Sequence, residues 1–182
     1  MKFVDARRDR WRPVGGEDGP MVTITPAPKR LLTLLQWHGV RSQWPEGMPV
    51  GVLVPNDAAI EELAADLPRL ALVALEFPKW TDGRAYSQAR LLRVRLRYGG
   101  EVRATGEVLV DMMPLLARTG FDAAVLRSDQ SLDDAERALA FFRAHYQGDV
   151  RDARPLYALS PGAADALASE GADEFVNAGA AI

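Results

Sequence analysis

Short apolar runs alternate with amphipathic segments from residue 49 to residue 146, and this rhythm restricts the possible folds more than any other feature. Strands that are apolar throughout and are joined by helices are typical of a parallel sheet. The runs predicted to be buried strands are residues 49–55, 70–77, 102–108 and 121–128. The helix-like segments that follow them are residues 56–67, 83–97, 109–119 and 132–146. The pattern predicts an α/β domain whose parallel sheet contains at least four βα units.

Two architectures fit such a series of βα units. One is a half-barrel, like half of a TIM barrel, with all helices on one face of the sheet. The other is an open three-layer α/β sheet with helices on both faces. Glu76, Arg103 and Glu107 place charges inside the predicted strands. The inner layers of a barrel tolerate charges that pair, whereas a sheet covered on both faces tolerates them less well. The half-barrel is therefore predicted, with the open sheet as the alternative.

The first 28 residues are predicted to contribute short strands rather than a βα unit. KFVDARRDRW and MVTITPAP both alternate, and the turn-forming segment VGGEDGP separates them. An open sheet edge attracts other strands and is normally covered. We expect strands around Phe3–Val4 and Val22–Ile24 to cover an edge, which favours a monomer or a weak homodimer. A helix is predicted over residues 29–38.

The composition changes after residue 146 and separates a tail from the domain. Residues 147–182 are rich in Ala, Gly and Asp and poor in large apolar side chains. Such segments bury too little apolar surface to pack stably. The sequence predicts one α/β domain over residues 1–146, in which residues 1–28 are the strand-rich lead-in and residues 49–146 hold the four βα units. A loosely docked tail follows.

Charge and hydropathy exclude several classes of partner. The chain of 182 residues is 48% hydrophobic, has a formal net charge of −3 and a pI of about 5.5. Nucleic-acid-binding domains are usually basic, so no nucleic-acid partner is expected. The longest apolar run is much shorter than the roughly 20 residues of a membrane span. The first residues, MKFVDARRDRW, contain no apolar signal core. We expect a cytoplasmic protein without a membrane partner.

The chain contains no cysteine and only two histidines, His38 and His145. Disulfides, thiol nucleophiles, thiolate zinc sites and cysteine-ligated iron–sulfur clusters are therefore excluded. Neither a P-loop nor a dinucleotide-binding glycine motif is present. Glu107 and Asp111 carry carboxylates of the kind that bind Mg²⁺, but no third ligand accompanies them. No metal site and no cofactor are predicted.

The segment FPKWTDGRAYSQARLLR, residues 77–93, concentrates charge at one strand-to-helix turn. Ligands of parallel α/β folds bind beyond the carboxyl ends of the strands, and a helix N-terminus there offers free N–H groups and a partial positive charge. We therefore predict an anion-binding turn in which Asp82 orients one of the cations. The anion-binding residues are predicted to be Lys79, Thr81, Gly83 and Arg84. The alternative is a plain helix cap at Thr81 or Asp82 with solvated charges beside it.

Two further sets of candidate residues lie near this turn. Arg90, Arg93 and Arg97 follow it at helical spacing, which indicates either a solvated helix face or a surface that docks an acidic partner. The docking alternative makes these three the candidate partner-binding residues. Glu76 and Asp82 are the candidate catalytic residues, since a carboxyl near a buried strand end can have a tuned pKa. The alternative for Glu76 is an ion pair with Arg103 that fixes the register of two strands.

Two segments resemble a bacterial family of unknown function: FPKWTDGRAYSQARLLR and GEVRATGEVLVDMMPLLARTGFDAAVLR. The family shares a Phe-Pro/Ala-Lys-aromatic-Thr-Asp-Gly-Arg block, an Ala-Arg-Leu-Leu-Arg helix and a Cys/Thr-Gly-Phe-Asp turn, and the resemblance covers residues 50–145. The family is assigned an oxidoreductase role in sulfite reduction, because its genes lie beside those of sulfite reductase and phosphoadenylylsulfate reductase. The matching positions are Phe77, Lys79, Thr81, Asp82, Gly83, Arg84, Ser87, Ala89, Arg90, Leu91, Leu92, Arg93, Gly106, Asp111, Gly120, Phe121 and Asp122.

The chain departs from the family pattern around Asp111, where Val110 and Met112 replace an expected Arg and Gln. The resemblance establishes no catalytic residue. Reduction of sulfite to sulfide moves several electrons and requires a metallocofactor, and this chain has no cysteine to ligate one. We therefore expect an accessory role rather than the reductase activity itself.

Three functions stay open on the sequence. The first is an accessory protein of assimilatory sulfate and sulfite reduction, in cysteine biosynthesis, that binds an oxyanion or a reductase. For the reductase, the resemblance implies sulfite reductase or phosphoadenylylsulfate reductase. The second is a small α/β enzyme acting on a metabolite that bears a phosphate, sulfate or carboxylate group. The third is a scaffolding module without catalysis. A deep pocket at the carboxyl ends of the strands would favour the enzyme, and a flat basic face would favour the accessory protein.

Overall fold

A computed structural model of the chain describes residues 1–15, 24–141, 145–151, 153–154, 158 and 162. Its strands are β1 (Lys2–Phe3), β2 (Arg12–Pro13), β3 (Arg30–Thr33), β4 (Val50–Val54), β5 (Leu70–Phe77), β6 (Glu101–Gly106) and β7 (Ala123–Ala124). They form one sheet in the order β1-β7-β6-β5-β4-β3-β2, and every neighbouring pair is parallel. The predicted parallel α/β sheet is therefore confirmed.

Within the described ranges up to residue 141, four short α-helices connect or follow the strands. They are α1 (Leu34–Val40), α2 (Arg84–Arg90), α3 (Met113–Thr119) and α4 (Leu132–Ala140). Three 3₁₀ turns, Ile60–Leu63, Leu67–Arg69 and Val110–Met112, and one π-helical turn, Leu91–Arg95, complete the connections. Within the described part of the chain, no helix has both the length and the apolar character needed to span a bilayer.

The sheet curls, and the path of the N-terminus shows why. β1 and β2 lie on opposite edges, yet only residues 4–11, here called the crossing segment, join them. The edges of a flat seven-stranded sheet would lie about 29 Å apart, close to the limit of eight fully extended residues. The crossing segment is not extended, because Arg8 N–H bonds to the Asp5 carbonyl at 3.0 Å. The two edges must therefore approach each other, which gives the predicted half-barrel.

One contiguous core lies on the convex face of the sheet. It contains Val73, Leu75 and Phe77 of β5 together with buried residues from all four helices. The Phe77 ring lies 5.1 Å from the ring of Tyr86 and 6.0 Å from that of Phe121, measured between centroids. Because side chains alternate along a strand, the intervening residues of β5 face the concave side. All helices thus share one face, as expected for a half-barrel and not for the open three-layer sheet.

The concave face carries a buried arginine in a layer whose other members are small or apolar, apart from Lys2 at the edge strand. Strand register aligns Leu53, Ala74, Arg103, Ala123 and Lys2 across five strands. The Arg103 side chain is only 2% exposed. A charge buried to this degree needs partners, and the charged strand position that favoured a half-barrel is found inside the curl.

Arg103 obtains its partners from its own strand and from the crossing segment. Its Nε donates to Glu101 at 2.8 Å, and its Nη1 donates to Asp9 at 2.5 Å. The pairing of Arg103 with Glu76 that was considered from the sequence does not occur. The register places Glu76 opposite Thr105 and Arg103 opposite Ala74.

Two of the predicted helices are wrong in extent. Residues 56–67 form no α-helix but only the 3₁₀ turns. Gln88 Nε2 donates a hydrogen bond to the carbonyl oxygens of Pro55 and Ala58, at 2.9 Å each. Tertiary hydrogen bonds thus claim groups that a helix would have used. Residues 29–38 begin as strand β3, which pairs with β4, and α1 starts only after Thr33, which forms a capping box with Gln36.

Other boundaries shift in the same direction, toward shorter elements. The helix predicted over residues 83–97 leaves the α-conformation at Leu91, and the strand predicted over residues 121–128 shortens to β7. The last helix begins as predicted with Ser131 as its N-cap, whose hydroxyl accepts from Asp134 N–H at 3.3 Å. Its described part ends at Ala140.

The predicted N-terminal strands are found in part. β1 covers the edge of β7 near the predicted Phe3–Val4, and β2 covers the edge of β3. Val22 of the predicted second strand lies outside the described residues. Most of the tail, residues 147–182, also lies outside them, but its start contacts α3 through the Val150 N–H, which bonds to the Arg118 carbonyl at 3.1 Å.

Candidate functional site

The turn between β5 and α2 carries the charges that the sequence singled out. The Asp82 carboxylate accepts from Arg84 Nε at 3.0 Å and from Arg84 Nη2 at 2.7 Å. It also accepts the Arg84 backbone N–H at 3.3 Å. Asp82 therefore both orients the Arg84 guanidinium and takes the first N–H group of the helix.

This pairing sets the charge state of the turn. The bonds from Arg84 hold the pKa of the Asp82 carboxyl well below its usual range. The Asp82 carboxylate in turn raises the pKa of the Arg84 guanidinium. A carboxylate that stays ionised this firmly is a poor general acid or base near neutral pH. The geometry suits Asp82 to positioning more than to proton transfer.

The remaining predicted anion-binding residues lie on the surface of this turn. Lys79, Thr81 and Gly83 are all exposed. Gly83 precedes α2 and supplies no side-chain cap. Among the described residues, nothing forms an ion pair with the Lys79 ammonium. Lys79 is thus the cation of the turn that is available to a ligand or partner.

Trp80 is a feature of the turn that the sequence reasoning missed. Trp80 lies between Lys79 and Thr81 in the sequence, and its side chain is 57% exposed. Tryptophan and arginine are enriched among the residues that dominate binding at protein interfaces. The signal was present in the sequence, because a tryptophan in a polar turn after Pro78 is required by neither the strand nor the helix.

Two buried amides lie beneath the turn, between it and the end of β4. Gln88 of α2 donates to the Pro55 and Ala58 carbonyls, and Asn56 lies between those residues. Within the described part of the chain, Asn56 Nδ2 and Gln88 Oε1 have no hydrogen-bond partner although both are buried. The end of β4 is thereby fixed against α2, so the carboxyl ends of β4 and β5 form one rigid edge.

The predicted arginine stripe is not one continuous exposed surface. Arg93 turns inward, and its guanidinium donates to the carbonyls of Gly120 at 2.9 Å, Tyr98 at 2.6 Å and Gly100 at 2.8 Å, and also to the Asp122 carboxylate. Arg90 is exposed on α2. Arg97 follows the π-helical turn with a φ of 54°, so the helical spacing that grouped it with Arg90 does not extend to it.

Arg93 links the end of the α2 segment to the loops around it. It crosses from the turn after the π-helical segment to Gly120 at the end of α3. Four of the five donors of an arginine are thereby occupied. Among the three arginines of the stripe, Arg90 and Arg97 are the ones left exposed for a partner.

Glu76, the other candidate catalytic residue, is half-buried on the concave side of β5. The described residues contribute no hydrogen bond or ion pair to its carboxylate. Its neighbour across the strands is Thr105, whose hydroxyl instead donates to the Leu75 carbonyl at 3.3 Å. Within the described part of the chain, no hydrogen bond joins Glu76 to Asp82, whose carboxylate is bound by Arg84.

A second charged cluster occupies the carboxyl ends of β6 and β7. Arg127 donates to Glu107 at 2.7 Å and to Asp129 at 2.6 Å. The bonds from Arg127 lower the pKa of Asp129 to about 2. A cavity of about 470 Å³ lies beside this cluster and is also lined by Phe3, Val4 and Leu126. This cavity does not include the Lys79–Arg84 turn.

Comparison with known proteins assigns the chain to a family without a known activity. A family model described as a bacterial protein of unknown function (DUF934) matches residues 51–157, which is more than half of the chain. The chain belongs to the DUF934 family. A comparison with curated proteins gives no match. The DUF934 match begins within β4 and includes the Lys79–Arg84 turn, α2 and the charged cluster around Arg127.

The DUF934 match does not include the N-terminal residues that complete the half-barrel. β1, β2, β3 and the crossing segment all precede residue 51. In the described part of this DUF934 chain, no group of three or more His, Cys, Asp or Glu side chains is arranged to hold a metal ion.

Proposed function

We propose that this protein is a cytoplasmic accessory protein of assimilatory sulfate and sulfite reduction that docks onto an acidic face of a reductase. The docking surface is the exposed turn of Lys79, Trp80 and Arg84, together with the exposed Arg90 at the end of α2. The resemblance of residues 77–93 to the sulfite-reduction family supplies the choice of partner, which is sulfite reductase or phosphoadenylylsulfate reductase.

The observation that carries the proposal is the exposure of Trp80 beside unpaired Lys79. An exposed indole loses apolar contact with water when a partner covers it, and cations around it steer an acidic partner toward the site. The cavity beside Arg127 and two other cavities in the described part of the chain are lined by other residues. An open basic turn with a central tryptophan supports docking better than enclosed catalysis.

The alternative of a small α/β enzyme has less support from the geometry. Within the described residues no hydrogen bond joins Glu76 to Asp82, and the Asp82 carboxylate is bound by Arg84. The cavity at the carboxyl ends of β1 and β7 is lined by neither of them. The bare scaffold gains no specific support, because a structural module has no need for an exposed tryptophan among cations.

An oxyanion can use the same turn as a secondary ligand. Lys79 is available, and Arg84 keeps donors beyond those that Asp82 accepts. The Asp82 carboxylate repels an anion, however, and already occupies the first N–H of α2. We therefore expect sulfate to bind weakly here, and protein docking to be the principal role of the turn.

The direct test is binding of the full chain to each purified reductase by biolayer interferometry at two salt concentrations. We expect binding to one of them that weakens as salt rises. Trp80→Ala should weaken it by about thirtyfold, the effect of losing an interface residue worth about 2 kcal/mol. Lys79→Gln with Arg90→Gln should mainly slow association.

Leu35→Ala is the matched control, because Leu35 is a large hydrophobic side chain that is 79% exposed on α1, which follows a strand two positions from β5 in the sheet. It should bind like the wild type. Absence of binding to both reductases at micromolar concentration would reject the proposal. Equal losses in Trp80→Ala and Leu35→Ala would show that the turn is not the docking surface.

A further inference from the structure

A separate cavity of about 490 Å³ lies between the concave face of the sheet and the N-terminal residues. Its walls come from β1, the crossing segment, Lys29 before β3, and the residues Glu101 and Arg103 of β6. Its lining includes Lys29 and Glu101, which lie where β3 and β6 begin, and no residue of the Lys79–Arg84 turn. It is therefore distinct from the turn at the carboxyl edge, and the inference drawn from it is independent of the proposed function.

The cavity has a surplus of positive charge. Five cationic and three acidic residues line it, giving a net charge of +2 in a chain whose total is −3. The acids are already paired, Asp5 with Arg8 and both Asp9 and Glu101 with Arg103. Among the described residues, nothing pairs with the side-chain charges of Lys2, Arg10 and Lys29. Three cations of the lining are thus available to a ligand.

The curl of the sheet is what brings these cations together. β1, which carries Lys2, and β3, which follows Lys29, are separated by four strands in the sheet. Lys2 belongs to the same concave layer as Arg103, since both align with Ala123. In a flat sheet these lysines would lie near opposite edges, whereas here they line one cavity.

Lys29 is held in an uncommon backbone conformation at this site. Its φ is 60°, which non-glycine residues rarely adopt and which is found at functional sites more often than elsewhere. Two hydrogen bonds keep it there: Lys29 N–H to the Pro49 carbonyl at 2.7 Å, and Arg12 N–H to the Lys29 carbonyl at 3.0 Å. The origin of the Lys29 side chain is therefore fixed at the wall of the cavity.

Trp11 adds an aromatic wall to the charged one. The residue is half-buried, and its backbone N–H donates to Asp9 Oδ1 at 3.0 Å. Asp9 also binds Arg103, so the buried ion pair positions the loop that carries the indole. The cavity volume lies within the roughly 300–1,000 Å³ of small-molecule sites and far exceeds the size of a bare oxyanion.

We propose that this cavity binds a small organic anion that combines a phosphate or sulfate group with a planar ring. Lys2, Lys29 and Arg10 bind the anionic group, and Trp11 contacts the ring. Arg103 is a positioning residue, because its guanidinium already donates to Glu101 and Asp9. The bond to Asp9 holds the crossing segment over the sheet.

Thermal unfolding of the full chain at constant ionic strength tests the proposal with three probes: AMP, adenosine and inorganic phosphate. AMP carries both features, whereas each of the other two carries one. We expect AMP to raise the melting temperature more than either of them. The double variant Lys2→Gln with Lys29→Gln should lower AMP affinity about tenfold or more. Trp11→Leu should remove the preference for AMP over phosphate.

Arg95→Gln with Arg137→Gln is the matched control, since it removes two exposed charges that belong neither to the cavity lining nor to the carboxyl-edge turn. It should respond to AMP like the wild type. Far-UV circular dichroism verifies that each variant is folded, and Trp11→Leu tests the site without altering its charge. The proposal is overturned if AMP stabilises the wild type no more than phosphate does. It is also overturned if the response survives in Lys2→Gln with Lys29→Gln or disappears in the control.

Discussion

Asp9 in the crossing segment binds Arg103 in the middle of the sheet, across 94 positions of the sequence, with 2.5 Å between Oδ2 and Nη1. This ion pair joins the N-terminal residues to the concave face that they cover. It accounts for a charged side chain that is almost wholly buried, because Arg103 has a carboxylate on each side. It also positions Trp11 at the proposed ligand cavity.

Asp9→Ala is predicted to destabilise the protein by about 3 kcal/mol, the lower end of the cost of removing one partner of a buried ion pair, since Glu101 remains. Urea unfolding measures the change. Asp5→Ala is the control, because Asp5 lies in the same segment but pairs with exposed Arg8 at 3.9 Å; its removal should cost no more than about 1 kcal/mol. Similar effects of the two variants would mean that the crossing segment is not held by Arg103.

The Asp82 carboxyl is predicted to titrate well below its usual value of 3.8 because Arg84 stabilises its ionised form. A pKa that is lower in the folded state than in the unfolded state adds stability above the unfolded pKa, and this contribution disappears as the pH falls through the folded pKa. Carbon-detected NMR of the side-chain carboxyl measures the titration. In Arg84→Gln the midpoint should move back toward 3.8, whereas Arg90→Gln should leave it in place. A wild-type midpoint near 3.8 would contradict the pairing.

Arg93→Gln is predicted to destabilise the fold by about 3 kcal/mol, because three partly buried carbonyls lose a charged donor. Arg93→Lys should also be destabilising, since one ammonium cannot reach carbonyls spread over the planar fork of a guanidinium. Arg90→Gln on the exposed face should change stability by less than about 0.5 kcal/mol. Denaturant unfolding of the three variants is the measurement. Wild-type stability in Arg93→Lys would show that charge alone matters at this position.

Gly106→Ala is predicted to destabilise the junction of β5 and β6 by about 2 kcal/mol or more. The φ of Gly106 is 90°, and a Cβ there would lie 2.4 Å from the Phe77 carbonyl oxygen, which accepts the Glu107 N–H at 2.8 Å. Gly99→Ala is the control, because a Cβ at Gly99 meets nothing within 4 Å. Thermal unfolding compares the two variants. Equal melting temperatures would mean that the strand ends can separate without cost.

Part of the candidate site could be predicted from its local pattern. Asp82 and Arg84 are two positions apart in the turn between a strand and a helix. The sequence alone could therefore predict that Asp82 orients the Arg84 guanidinium. The role of Arg93 could not be predicted in this way. Its partners Gly120 and Asp122 lie 27 and 29 positions away, and periodicity on one helix carries no information about a neighbouring loop.

The sequence by itself determined the order of the elements and the parallel sheet, because each depends on apolar spacing within a few residues. β5 begins and ends where its apolar run does, and α4 begins after Ser131 because the cap acts on its own first turn. Only the tertiary structure decided the pairing of Arg103 with Asp9, the inward turn of Arg93 and the replacement of a predicted helix by 3₁₀ turns. Each of these depends on hydrogen bonds or ion pairs between distant residues, such as Asp9 with Arg103 and Gln88 with Pro55. Long-range contacts of this kind form only once the sheet has brought their partners together, and they then override the local preference of the chain.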